Sequence, residues 1–136
     1  MSAVVYLDTS AVLRAVLERG LSPEVERRLG EARFLLTSRL TLVESARALS
    51  RLRREGVDDD ALRGARQELD SLWSRCVVWE LTAEVCDLAG LVAADRPLRT
   101  LDALHLATYL LARRKLGPDI TLLTTDTRLD EAAQAV

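Results

Sequence analysis

The sequence predicts an α/β fold, a three-layer α/β/α sandwich around a mainly parallel sheet. Three observations carry this. Short runs such as Val-Val-Tyr-Leu at 4–7 are apolar at every position, the pattern of strands buried on both faces. These runs alternate with longer helical segments that begin at Ser, Thr or Asp, several of them closed by Gly. No tight hairpin signal lies between them, so the strands are expected to be joined through helices.

Ala3 to Leu7 is the first expected strand. Asp8-Thr9-Ser10 then supplies capping chemistry for a helix over Ala11 to Glu18, closed by Gly20. Ser22 as N-cap and Pro23 at the first helical position open a second helix to about Leu29, ended by Gly30. Phe34 to Ser38 is the second strand. A long helix from Thr41 to Glu55 stops at Gly56, and Asp58 to Asp60 cap its partner, which runs to about Ser74. Cys76 to Leu81 is the third strand. Thr82 caps a helix to about Ala94, with Pro97 in the loop beyond. Thr100 caps another, ending near Leu116 before Gly117-Pro118. Ile120 to Thr125 is the fourth strand, and Asp126 or Thr127 opens the terminal helix.

The 136 residues, 49% hydrophobic, are one domain's worth over 1–136, with no repeat or linker. Nineteen basic and 21 acidic residues leave a net charge of −2, which argues against a generic basic nucleic-acid binder. Asp8 interrupts the first apolar run before any signal core, and no apolar stretch spans a bilayer, so the chain reads as cytoplasmic with no membrane partner. Cys76 and Cys86 lack metal-ligand spacing and read as small buried hydrophobes. Most of the aromatics Tyr6, Phe34, Trp73, Trp79 and Tyr109 fall in apolar positions and read as core, which disfavours a binder built on base stacking.

Four carboxylates stand out by position. Asp8 ends the first strand and Asp126 the fourth. Glu44 and Asp102 lie in first helical turns. Ligands of open parallel sheets bind beyond the carboxyl ends of the strands, which puts Asp8, Asp126 and Glu44 on one edge and leaves Asp102 unplaced. Each also has an ordinary reading. Asp8 and Asp126 suit N-caps, Thr41 to Glu44 fits a capping box, and Asp102 complements a helix dipole.

In these surroundings Tyr6-Leu7-Asp8-Thr9-Ser10-Ala11 resembles the opening motif of the PIN-domain ribonucleases. Ser38 to Glu44, Leu98 to Ala107 and Leu123 to Leu129 resemble their second, third and fourth motifs, in order over the whole chain. Stand-alone bacterial members are mostly VapC-type toxins of toxin–antitoxin pairs. The resemblance implies a Rossmann-like sheet with the first strand central. Four strands are legible where the family often has five, so a four- or five-stranded sheet is expected. It further implies that Asp8, Glu44, Asp102 and Asp126 form one catalytic, metal-binding site for Mg²⁺ or Mn²⁺. A homodimer and a cognate antitoxin are the implied protein partners. Leu13, Val16 and Leu17, or Leu40 and Leu49, suit either an antitoxin groove or the core.

The chemistry expected of such a site is hydrolysis of RNA to 5′-phosphate and 3′-hydroxyl ends. All-oxygen ligation favours Mg²⁺ or Mn²⁺ over zinc, and a bound cation relieves the repulsion among four carboxylates. Asp8, Asp102 and Asp126 are the direct contacts expected, with Glu44 holding a second ion or orienting water. Ser10 and Thr124, two residues from Asp8 and Asp126, are candidate supporting donors. Arg99 and Arg128 are the first candidates for RNA phosphates, with Arg14 and Arg47 behind them. His105, one turn beyond Asp102, reads as a packed or hydrogen-bonded histidine rather than a base. Asp58 to Asp60 reads as a helix cap.

The alternative is a non-catalytic PIN-like module that binds RNA or protein. A phosphotransfer enzyme is disfavoured because no second Asp stands two residues after Asp8. Setting the four site acids aside leaves 19 basic against 17 acidic residues, so the small net charge conceals a mildly basic body around one acidic site.

Overall fold

The computed structural model describes residues 4–136. Its sheet has four parallel strands among the described residues: β1 (Val4–Leu7), β2 (Phe34–Ser38), β3 (Cys76–Trp79) and β4 (Thr121–Leu123). Their order is β3-β2-β1-β4, which makes β1 central. Leu7 is in register with both Thr37 of β2 and Leu123 of β4. Ala3, expected to start β1, lies outside the described residues.

Strand parity divides the core. Val5, Leu7 and Leu35 face one layer, formed by α1 (Thr9–Val16), α2 (Pro23–Glu31), α3 (Arg39–Arg54) and α4 (Asp59–Arg75). Tyr6, Leu36 and Leu122 face the other, formed by α6 (Thr100–Leu116) and α7 (Thr127–Gln134), with α5 (Ala83–Ala89) packed on α6. Alternate residues of each strand are therefore buried on opposite faces, which is why β1 is apolar throughout and β2 is apolar up to Thr37 and Ser38, both fully buried at its carboxyl end. Leu40 and Leu49 are buried in the core, and Val16 and Leu17 pack against it.

The first crossovers carry the chain from β1 through β2 to the β3 edge. The third returns it to the far side of β1. The reversal falls between β1 and β4, the topological switch point where such sheets bind ligands. Asp8 and Thr124 follow the paired residues Leu7 and Leu123 there, and the Asp8 N–H donates to the Leu123 carbonyl at 3.3 Å.

Several boundaries differ from the sequence reading. Helix α1 begins at Thr9, with Asp8 as its cap, and Gly30 lies inside α2. Ser38 caps α3 through the Leu40 N–H, three residues before the expected Thr41. Arg99 is the N-cap of α6 without a side-chain bond, and Thr100 is its first residue. Helix α5 ends at Ala89, not Ala94: the Leu88 carbonyl takes the N–H groups of both Leu91 and Val92, and Ala93 is left-handed at φ 49°. Gly56 turns the chain between α3 and α4 at φ 93°, a conformation closed to most side chains.

Two further expectations fail at the β3 side. Phe34 is 54% exposed, its ring covered on one side by the Arg33 guanidinium, because it opens β2 at the sheet's rim. Cys86 is exposed on α5, whereas Cys76 is half-buried and its thiol is pushed up to about 11 by burial. Among the described residues, no helix is long and apolar enough to cross a membrane.

Candidate acidic active site

Asp8 is 3% exposed at the end of the central strand. Its Oδ1 accepts the Ala11 N–H at 3.0 Å and the Ser10 hydroxyl at 2.8 Å. Its Oδ2 accepts the Thr124 hydroxyl at 2.9 Å. Each hydroxyl has one proton, so Ser10 and Thr124 serve one carboxylate oxygen each, and their mutual 3.1 Å contact adds no further donor to the carboxylate. Both hydroxyls also accept from the β4–α7 connection: Ser10 from the Thr125 N–H at 2.9 Å, Thr124 from the Asp126 N–H at 3.0 Å. The donors that hold Asp8 thereby also set the position of Asp126.

Asp126 caps α7, its Oδ1 accepting the Arg128 and Leu129 N–H groups. Asp102, half-buried in the first turn of α6, has no hydrogen-bond partner among the described residues. Glu44 makes no capping box. The Thr9 hydroxyl donates to its Oε1, and His105 Nε2 lies 2.8 Å from the same oxygen. Thr9 was not singled out from the sequence, although it adjoins Asp8. Its partner lies 35 residues away, beyond the reach of any local pattern.

The electrostatics tie the four acids together. Burial raises the Asp102 carboxyl above its usual value, and the charge of Asp126 adds to this, followed by smaller contributions from Asp8 and Glu44; His105 opposes it. Burial also raises Asp8, partly offset by the Ala11 N–H, Ser10, His105 and Thr124. At Glu44, burial pushes the carboxyl up, but the His105 and Thr9 hydrogen bonds outweigh it and bring it below the ordinary glutamate value.

These acids are electrostatic neighbours. Among the described residues, however, no three His, Cys, Asp or Glu side chains are gathered closely enough to make a ligand cage. The donor chemistry nevertheless fits a hard divalent cation. The groups are carboxylate oxygens with no thiolate among them, and two are raised by burial that an adjacent cation would counter.

A raised aspartate costs the folded state stability once ionised, so stability falls as pH rises from the ordinary aspartate value through the folded one. Asp102→Asn removes that cost. In metal-free protein near pH 7.5 it is expected to raise the melting temperature by about 1–3 °C, a small gain because solvent screens this half-exposed group. The gain should fade as pH drops through the folded carboxyl's raised value and be gone below the ordinary aspartate value, where both states are protonated. A lower melting temperature for the variant at neutral pH would refute the sign.

Many arginines are paired with nearby acids, as in Arg14–Glu18, Arg19–Glu68 and Arg39–Glu80. Arg99 and Arg128 are exposed and make no ion pair among the described residues; they flank Asp102 and Asp126 in sequence. Arg47, Arg51 and Arg54 are likewise exposed and unpaired, and with Glu44 they follow a three- and four-residue spacing along one side of α3.

A family model described as PIN domain matches residues 5–135. Ribonuclease VapC35 of Mycobacterium tuberculosis is 33% identical over 136 residues, covering 98% of this chain and 92% of its own. The crystal structure of PAE2754 from Pyrobaculum aerophilum matches with a TM-score of 0.69 at 23% identity, over 98% of this chain and 83% of that one. VapBC2 from Rickettsia felis, solved bound to a DNA fragment from its promoter, matches with a TM-score of 0.60 at 14% identity, over 90% and 99%. The two structural likenesses show the same fold.

Proposed function

Because the chain belongs to the PIN-domain family, we propose that it is a metal-dependent endoribonuclease, the toxin of a type II toxin–antitoxin pair, acting as a single domain over residues 1–136 in the cytoplasm. The observation that carries this reading is the pairing of Asp8 and Asp126 through Ser10 and Thr124 beside the β1–β4 switch point, with Asp102 close enough to feel the charges of Asp126, Asp8 and Glu44. The ribonuclease name of the relative at 33% identity adds support.

In this reading Asp8, Asp102 and Asp126 hold Mg²⁺ or Mn²⁺, with Glu44 beside them. Such a cation, when bound, supplies positive charge against the phosphate and makes water acidic enough to attack near neutral pH. The protein's own part is orientation. Ser10, Thr124 and the Ala11 N–H fix the Asp8 carboxylate, and Glu44 orients the attacking water. Water adds to phosphorus in line with the P–O3′ bond. That bond breaks, and the 3′ oxygen leaves with a proton, giving a 5′-phosphate and a 3′-hydroxyl.

Arg99 and Arg128 hold the flanking phosphates, and the α3 arginines extend the track. Replacing both Arg99 and Arg128 with alanine is expected to weaken RNA binding and to reduce the slope of log affinity against log salt by about 1.4 for a single strand. An unchanged slope would exclude them as contacts. The remaining partners are a second copy of the chain and an antitoxin whose basic side chain satisfies the acids in place of a cation.

The test is cleavage of a structured RNA by purified protein, with and without Mg²⁺, and chemical identification of the new ends. Metal-dependent cuts bearing 5′-phosphates support the proposal. Retained RNA binding without cleavage would support the non-catalytic binding module instead.

A further inference from the structure

His105 is the chain's single histidine, and it is 2% exposed. Both ring nitrogens are partnered. Nδ1 lies 3.0 Å from the Tyr6 hydroxyl, and Nε2 lies 2.8 Å from Glu44 Oε1 and 3.2 Å from Thr9 Oγ1. The carboxylate contact fixes a proton on Nε2 in either charge state of the ring. An ionised carboxylate only accepts, so Nε2 carries the hydrogen and donates to Glu44. On a neutral ring Nδ1 is then an acceptor, and the fully buried Tyr6 hydroxyl donates to it. The Thr9 hydroxyl gives its one proton to Glu44 Oε1.

Glu44 Oε1 therefore receives two hydrogen bonds, while Oε2 receives none among the described residues. The ring is also packed, with its centroid 6.2 Å from that of Tyr6 in an edge-on contact. Packing alone requires neither that both nitrogens be bonded nor that Nε2 meet a side chain 61 residues away on another helix.

We infer that His105, backed by Tyr6, is a positioning residue that holds Glu44 through Oε1 and leaves Oε2 as the one oxygen free for the reaction. Its role in turnover rests on the ribonuclease reading; the relay of hydrogen bonds does not. Tyr6 orients the ring from inside the sheet, His105 passes that order to Glu44, and Thr9 adds a second anchor from the residue next to Asp8. The third motif's helix thereby governs an acid supplied by the second.

A lone histidine makes the relay directly visible. In the intact metal-free protein near neutral pH, long-range ¹H–¹⁵N correlation spectra should show one ring with its hydrogen on Nε2. Glu44→Ala and Tyr6→Phe should each shift it towards a mixture. His105→Leu is expected to lower kcat about 10- to 100-fold with little change in KM. His105→Gln, which keeps an N–H donor near the position of Nε2, should recover most of that loss. Adding His105→Leu to Glu44→Ala should cost nothing further, because the histidine acts through the glutamate.

A wild-type ring in the Nδ1–H tautomer would overturn the relay, even if the leucine variant failed to fold. Equal losses from His105→Leu with and without Glu44 would overturn its action through that residue. A protein that cuts no RNA yet shows the Glu44-dependent Nε2–H tautomer would overturn the ribonuclease reading and the role in turnover, while the hydrogen-bond relay stands.

Discussion

Asp8→Asn is expected to leave the fold intact and to lower RNA cleavage by about 10³-fold, the scale on which one preorganised electrostatic contact is lost. The variant is chosen on structural grounds. Asparagine is as good an N-cap as aspartate, so its carbonyl can still accept the Ala11 N–H. Its volume is the same, so the buried end of β1 stays packed. What it loses is the charge, together with the second acceptor oxygen that faces Thr124. The measurement is a time course of Mg²⁺-dependent cleavage beside a thermal melt followed by circular dichroism. A variant that melts like the wild type and still cleaves at the wild-type rate would remove Asp8 from the chemistry.

The second large effect concerns the hydroxyls behind that carboxylate. Ser10→Ala combined with Thr124→Val is expected to weaken Mn²⁺ binding by about 10- to 100-fold, the usual consequence of removing groups that orient a ligand. Asp8 would keep only the Ala11 N–H, and its buried charge would be harder to sustain. The Asp126 and Thr125 N–H groups would lose their acceptors in the same step, which loosens the turn that presents Asp126. Calorimetric titration with Mn²⁺ reads the effect without any RNA. Since the two hydroxyls share Asp8, the single variants should not add to the double. Unchanged affinity in the double variant would show that the hydroxyls serve only as local caps.

Much of this was legible in the sequence because the signals were local. Val-Val-Tyr-Leu states a doubly buried strand within four residues, and Asp8 states a cap within the next three. The rule that ligands sit beyond the carboxyl ends of parallel strands was enough to put Asp8, Asp126 and Glu44 on one edge. The shortfalls arose where distant parts of the chain decide between local options. Thr41 and Ser38 both offer capping chemistry, three residues apart. Ser38 takes the role because β2 continues to Ser38, and Glu44 is then free to meet Thr9 and His105. Phe34 has a core residue's composition, but its place at the strand's first position leaves it at the rim. Asp102 had no strand to place it. Its approach to Asp126 depends on α6 crossing beneath the sheet, which no spacing in the sequence encodes.

Asp8 and Asp126 both cap helices, α1 and α7. This double duty bears on how a lineage carrying this fold can diverge. Asparagine at either position would still satisfy the helix end, so a single nucleotide change could silence the proposed chemistry without unfolding the protein. The route from a cutting enzyme to an inert scaffold that merely grips its target is therefore short and crosses no barrier of instability. The return route is equally open, because the helix ends stay formed throughout.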